Sequence, residues 1–161
     1  MELLGTHKVS FEAVRSLAIQ CHALDLSAYH LLLDSTHTDK DGKTKVAYEE
    51  IFTNQLLALA IAVRTKFYQG IPHKTTSRYV QHCGFLYRND KGNEESLLFS
   101  IKDVCDKIIH AEAISRQLEQ GVEKPTTTLR GRYDKMEWEL SLSISLFTEG
   151  VLNWVQDVEQ T

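Results

Sequence analysis

Asp103, Asp106 and His110 stand three and four residues apart in a stretch whose apolar residues Leu97, Ile101, Val104, Ile108 and Ala111 recur at helical spacing. At about 100° per residue, those spacings bring two carboxylates and an imidazole into one narrow sector of a helix, away from its apolar stripe. Such a face offers proton transfer near neutral pH, with the carboxylates favouring imidazolium. It equally suits a solvated or dimer-facing side on which the histidine pairs with a neighbouring carboxylate. Arg64 is the second charge of interest, because it follows directly on the uninterrupted apolar run at 56–63. A guanidinium leaving a buried run calls for a carboxylate or phosphate partner, unless it reaches solvent at the helix end.

Metal chemistry finds no support. The connector 34–45 holds His37, Asp39, Asp41 and Gly42, but a calcium loop with its turn at Gly42 would have His37 as first ligand and Tyr48 as last. A bidentate carboxylate is needed at that last position, so a polar turn around Asp41-Gly42 is the better assignment. His73, His82 and Cys83 lack a second pair with ligand spacing. Cys21, Cys83 and Cys105 are odd in number with no CxxC, and Cys21 and Cys105 fall on apolar helix faces, so they are expected as small core residues. No cofactor or metal is expected.

The elements that must position these groups are mostly helical. Val14, Leu17, Cys21, Leu24, Ala28 and Leu31 are spaced 3, 4, 3, 4 and 3, predicting a helix over 10–33 with Ser10 as its cap. A second helix is expected over 46–69, ended by Gly70 and Pro72. Its apolar run should be central in the domain or covered by a second subunit. A long connector follows at 71–93, with a short strand near 80–87 and the basic residues Lys74, Arg78, Arg88 and Lys91 among aromatics. A third helix is expected over 94–120, opened by Asn93 and Glu94-Glu95, and this would carry Arg116 onward from His110. A β-hairpin over about 126–142, basic through Arg130 and Arg132, precedes a last helix capped by Ser143. The predicted fold is mainly α, an up-and-down bundle of four main helices with a small hairpin before the last, in a single domain over 1–161.

Composition sets outer bounds. The 161 residues include 18 Lys plus Arg against 22 Asp plus Glu, with 2 Pro and 8 Gly. One core of ordinary size fits that length. The net charge of -4 argues against a general nucleic-acid binder and leaves room for a local basic strip. Residues 1–7 lack a basic start leading into an apolar stretch, and the longest apolar run is far short of a bilayer span, so a cytoplasmic protein without membrane partners is expected.

The stretch Cys105-Asp106-Lys107-Ile108-Ile109-His110 resembles the motif of the HEPN superfamily, helical proteins of prokaryotic defence and toxin–antitoxin systems. There an arginine, usually followed by a polar Asn-like residue, precedes a histidine on a late helix. Residues 104–111 are also similar to a group of uncharacterised bacterial proteins associated with that superfamily. The resemblance implies a metal-independent RNA endonuclease, or a non-catalytic relative that binds RNA, a nucleotide or a partner protein such as an antitoxin. It places the motif at a homodimer cleft. His110 matches the family histidine and Asp106 the polar position, while Cys105 stands where the arginine belongs. Catalysis would then draw on Arg64 or Arg116 to hold the phosphate. Asp103, Arg116, Arg78, Arg88, Arg130 and Arg132 are the candidate binding residues.

Overall fold

In a computed structural model, residues 9–69, 83–88, 94–98, 100–122 and 125–160 are described. The first helix, α1 (Phe11–Leu32), starts where the sequence places its cap: the Ser10 hydroxyl accepts from the Ala13 amide at 3.1 Å. α2 (Lys43–Tyr68) follows a turn in which Gly42 adopts φ +71°, a conformation that favours glycine. The Asp39 carboxylate accepts from the Thr44 and Lys45 amides, both at 3.0 Å, and so serves the start of this helix from outside it.

The chain then forms an antiparallel pair, β1 (Gly84–Arg88) and β2 (Glu94–Leu98), in register from Gly84↔Leu98 to Arg88↔Glu94. α3 (Ile101–Ile109) is capped by Ser100, whose hydroxyl accepts from the Asp103 amide. After it come β3 (Ala113–Gln117), β4 (Thr126–Tyr133), β5 (Met136–Leu142) and α4 (Ile144–Glu159), the last capped by Ser143 as expected. The five strands form one sheet in the order β2-β1-β5-β4-β3, every neighbouring pair antiparallel. One face supplies Leu86, Leu129, Leu140 and Leu142 to a core shared with Phe52, Leu56, Val104, Phe147 and Trp154 from the helices. On the opposite face Phe85, Arg130, Arg132 and Glu137 are exposed.

The expected bundle of four helices with a small hairpin is therefore wrong: the fold is mixed α/β. The hairpin at 126–142 exists as β4 and β5, but it lies at the heart of a five-stranded sheet. β1 joins β5 from far along the chain, Gly84 facing Leu142 and Arg88 facing Trp138, a pairing that no local pattern announces. The predicted helix over 94–120 is also corrected, since only its middle is helical. Ser100 followed three residues later by Asp103 restarts the chain as a helix, and beyond His110 the alternation of half-buried Ile114 and Arg116 with exposed Ala113, Ser115 and Gln117 makes a strand. The expected strand near 80–87 is realised as β1. Most of the rest of the 71–93 connector, with Arg78, His73 and His82, lies outside the described residues.

Among the described residues α2 is the one helix long and apolar enough to cross a bilayer by composition. One side of it, including Phe52, Leu56, Leu59 and Val63, is buried against the rest of the domain, as in a core helix.

Candidate functional site

α2 and α3 pack together, and their contact brings two of the predicted residues into direct engagement. The Arg64 Nε donates to the Asp106 carboxylate at 2.7 Å, and one terminal guanidinium nitrogen donates to the Tyr68 hydroxyl at 2.6 Å. The guanidinium also lies 4.7 Å from the centre of the Tyr68 ring. Its other terminal nitrogen, Nη1, is buried and has no hydrogen-bond partner among the described residues. The partner that the sequence demanded for Arg64 is thus a carboxylate on the motif helix, one turn before His110.

The other motif residues have separate fates. Cys105 is fully buried, and its thiol is pushed well above the usual range, first by burial and then by the Asp106 charge, so it is a protonated core residue. Asp103 is exposed in the first turn of α3, where a carboxylate suits the helix N-terminus. His110 is the C-cap; its amide donates to the Asp106 carbonyl while its exposed ring makes no hydrogen bond or ion pair among the described residues. Lys107 lies with its ammonium 4.5 Å from the Trp138 ring centre, and its pKa is lowered by burial and by the charge of Arg88.

Arg116, expected on the same helix as His110, is on β3 and forms a second polar centre. Its guanidinium pairs with Asp25 of α1, donates to the Tyr48 hydroxyl of α2 and to Thr127 of β4 at 3.2 Å, and lies 3.7 Å from the Phe52 ring centre. Ser145 of α4 donates to the other Asp25 oxygen at 3.0 Å. The side chains of Arg116 and Asp25 are only 5% and 3% exposed, so this ion pair is enclosed. Burial raises the pKa of the neighbouring Tyr48 phenol and pushes the Cys21 thiol up to about 12. A cleft of about 610 Å³ opens beside the centre, bounded by Ala28, Leu32, Tyr48, Arg116, Leu118 and Pro125.

Arg130 and Arg132 lie on the open face of the sheet, yet neither is a free cation. They pair with Glu139 at 2.8 Å and Glu137 at 3.1 Å on β5. Arg88 is exposed at the end of β1. Together with Tyr87, Arg130 and Arg132 border a 310 Å³ recess. Reasoning from sequence missed Asp25, Tyr48, Thr127 and Ser145. Asp25 carried a signal, a carboxylate standing in the apolar stripe between Cys21 and Ala28. Among the described residues no cluster of His, Cys, Asp and Glu could hold a metal ion. No family model, curated protein or solved structure matches the chain.

Proposed function

We propose that the protein is a non-catalytic interaction module that acts by associating with a macromolecular partner, in the cytoplasmic defence or toxin–antitoxin setting that the HEPN resemblance implies. The Arg64–Asp106 pair carries this reading. A phosphate competing for this guanidinium has to displace a carboxylate 2.7 Å away, and the released Asp106 would then face the phosphate's own charge. Arg116 is committed to Asp25, and Cys105 offers no cation in place of the motif arginine. His110 is left as an acid–base group whose two candidate guanidinium partners, Arg64 and Arg116, are each engaged by a carboxylate. Exposed apolar side chains on α1 and α2, among them Ile19, Leu26, Leu57 and Ile61, supply surface for a protein partner.

One observation favours the alternative, RNA cleavage by His110 with Arg64 at a dimer cleft: Asp106 holds Arg64 on the turn of α3 that precedes His110. Cleavage then requires Asp106 to let go. The test is a cleavage assay on RNA without divalent metal, comparing wild type, His110→Ala and Asp106→Asn. No cleavage above background is expected from wild type or either variant. Cleavage by wild type that disappears in His110→Ala would establish the endonuclease in its place, and cleavage confined to Asp106→Asn would identify the ion pair as a lock on an active site.

A further inference from the structure

β3 lies at one end of the sheet, with β4 on its inner side and, among the described residues, no strand on its outer side. Its outer edge is the wall of a groove. The 610 Å³ cleft is bordered by Arg116, Gln117, Leu118 and Glu119, and a 180 Å³ hollow next to it by Ile114, Ser115 and Arg116. These are six consecutive residues, as the edge of a strand presents, whereas the face of a strand would present alternate ones. The facing wall is α2. Its Lys45, Tyr48, Glu49, Phe52 and Thr53 recur at spacings of 3, 1, 3 and 1, which keeps them on one side of the helix. Glu49 and Arg116 border both hollows, so the groove is continuous. Six residues in extended conformation fill about 20 Å of it.

Resting on the interaction-module reading, we infer that this groove binds an extended basic peptide of a partner protein, which adds a sixth strand beside β3 and sets a large apolar side chain into the cleft. An unpaired edge offers backbone N–H and C=O groups that a peptide strand satisfies. Charge fixes the sign of the peptide. Asp25, Asp39, Glu49 and Glu119 outnumber Lys45 and Arg116 along the groove, and each cation already has a carboxylate beside it, Asp25 for Arg116 and Glu49 at 3.9 Å for Lys45. Glu119 makes no ion pair among the described residues. Lysine or arginine side chains complement such walls, and phosphates do not. The wide end, lined by Ala28, Leu32, Leu118 and Pro125, takes a Leu- or Phe-sized side chain. Arg116 needs no new partner, since its guanidinium stays with Asp25, Tyr48 and Thr127 and holds the floor between the two hollows. A second copy of β3 is a poor occupant. Glu112 and Glu119 bracket the strand, and pairing antiparallel about its centre sets Glu112 against Glu119 of the partner subunit at both ends.

Selection from random decapeptides displayed on phage tests the groove, with the full chain as bait and a chain carrying Glu49→Lys and Glu119→Lys as the counter-selection. Both glutamates are exposed, so the double variant should keep its fold and its urea midpoint. Wild type should enrich peptides in which lysine or arginine alternates with apolar residues. A synthetic copy of the most enriched peptide should bind the double variant about tenfold more weakly or worse. Strand pairing has its own signature, because alternate residues of an extended peptide turn their N–H groups to the same edge. N-methylation of one alternate set should therefore abolish binding, and that of the other should leave it within about threefold. Amides within 114–118 that exchange fast in the free chain should slow by about tenfold or more when the peptide is saturating. No enrichment over the double variant, enrichment of acidic peptides, or equal effects of the two methylations would overturn the peptide groove. Slow exchange of every amide in 114–118 of the free chain would overturn it too, because the edge is then already covered. Such a failure leaves the interaction-module reading standing on the exposed side chains of α1 and α2, whereas metal-free RNA cleavage dependent on His110 removes that reading whatever the groove binds.

Discussion

Asp25 occupies a position where an apolar side chain would be expected, and its surroundings explain why a carboxylate is tolerated there. Burying a lone carboxylate is costly, but Arg116 neutralises its charge, Ser145 donates to it, and Thr127 and Tyr48 take up guanidinium donors that would otherwise be stranded. The centre therefore ties α1, α2, β3, β4 and α4 together through directional bonds. The cysteines make the converse point. They have no charged partner that favours thiolate strongly enough to offset burial, which pushes Cys83 up to about 11, Cys21 up to about 12 and Cys105 well above its ordinary value. Above about pH 9 the unfolded chain releases these thiol protons while the folded chain keeps them, so the folded state binds more protons and stability falls as pH rises. The Tyr48 phenol, also raised, acts in the same direction, and the lowered Lys107 opposes it. Each thiol contributes a slope of up to about 1.4 kcal/mol per pH unit between its unfolded and folded pKa values. Urea unfolding at pH 8 and pH 10 should show wild type losing stability at the higher pH and Cys83→Ala losing less. Equal losses in the two proteins would mean that Cys83 already ionises in the folded state.

At the level of elements, β4 is held against its neighbours by the absence of a side chain at Gly131. A Cβ there would lie 2.3 Å from the Trp138 ring, its cross-strand partner on β5, and 2.9 Å from the carbonyl of His110 at the end of α3. Gly131→Ala should cost about 1–3 kcal/mol through displacement of the indole or the helix end, measured as a lower urea midpoint with unchanged m-value. A loss below about 0.5 kcal/mol would show that Trp138 has room to move. Nothing in the sequence around Gly131 signals this constraint, which depends on the register of β4 against β5 and on where α3 stops. Where a local pattern carries the information, the sequence is readable: the caps at Ser10 and Ser143, the apolar stripe of α1 and the alternation along β5 all predict their elements. The stretch 94–120 defeats the same method, because Glu94-Glu95 followed by apolar residues fits a helix start as well as a strand end. Only pairing with β1 and β4 decides between them. For the candidate site, Arg64 was legible as a residue needing a partner, whereas Asp106 was read as a carboxylate beside His110; its engagement with Arg64 instead follows from helix packing. Arg116 was misplaced because its strand was.

For the whole molecule, the question is how a net charge of -4 is distributed over the surfaces available to a partner. The open face of the sheet has the layout of a platform for single-stranded nucleic acid, with Phe85 exposed, Tyr87 two residues on along the same strand, and Arg130 and Arg132 close by. Glu139 and Glu137 oppose it by holding both guanidinium groups in cross-strand pairs. These pairs are solvent-exposed, so each contributes little to stability. Their larger effect is on the field, since a phosphate approaching either arginine also meets a carboxylate. Wild type should therefore bind oligouridine weakly, with little dependence on salt. Glu137→Gln combined with Glu139→Gln removes two negative charges, keeps side-chain shape, and leaves both arginines able to take phosphates. For single strands each phosphate contact steepens the dependence of log affinity on log salt by about 0.7, so the double variant should gain a slope of roughly 1.4 together with measurable affinity. Fluorescence anisotropy of labelled oligouridine across a salt series measures both. A wild-type slope already that steep would mean that the cross-strand pairs do not shield this face. A double variant as indifferent to RNA as wild type would mean that the face lacks the shape for it, whatever its charge.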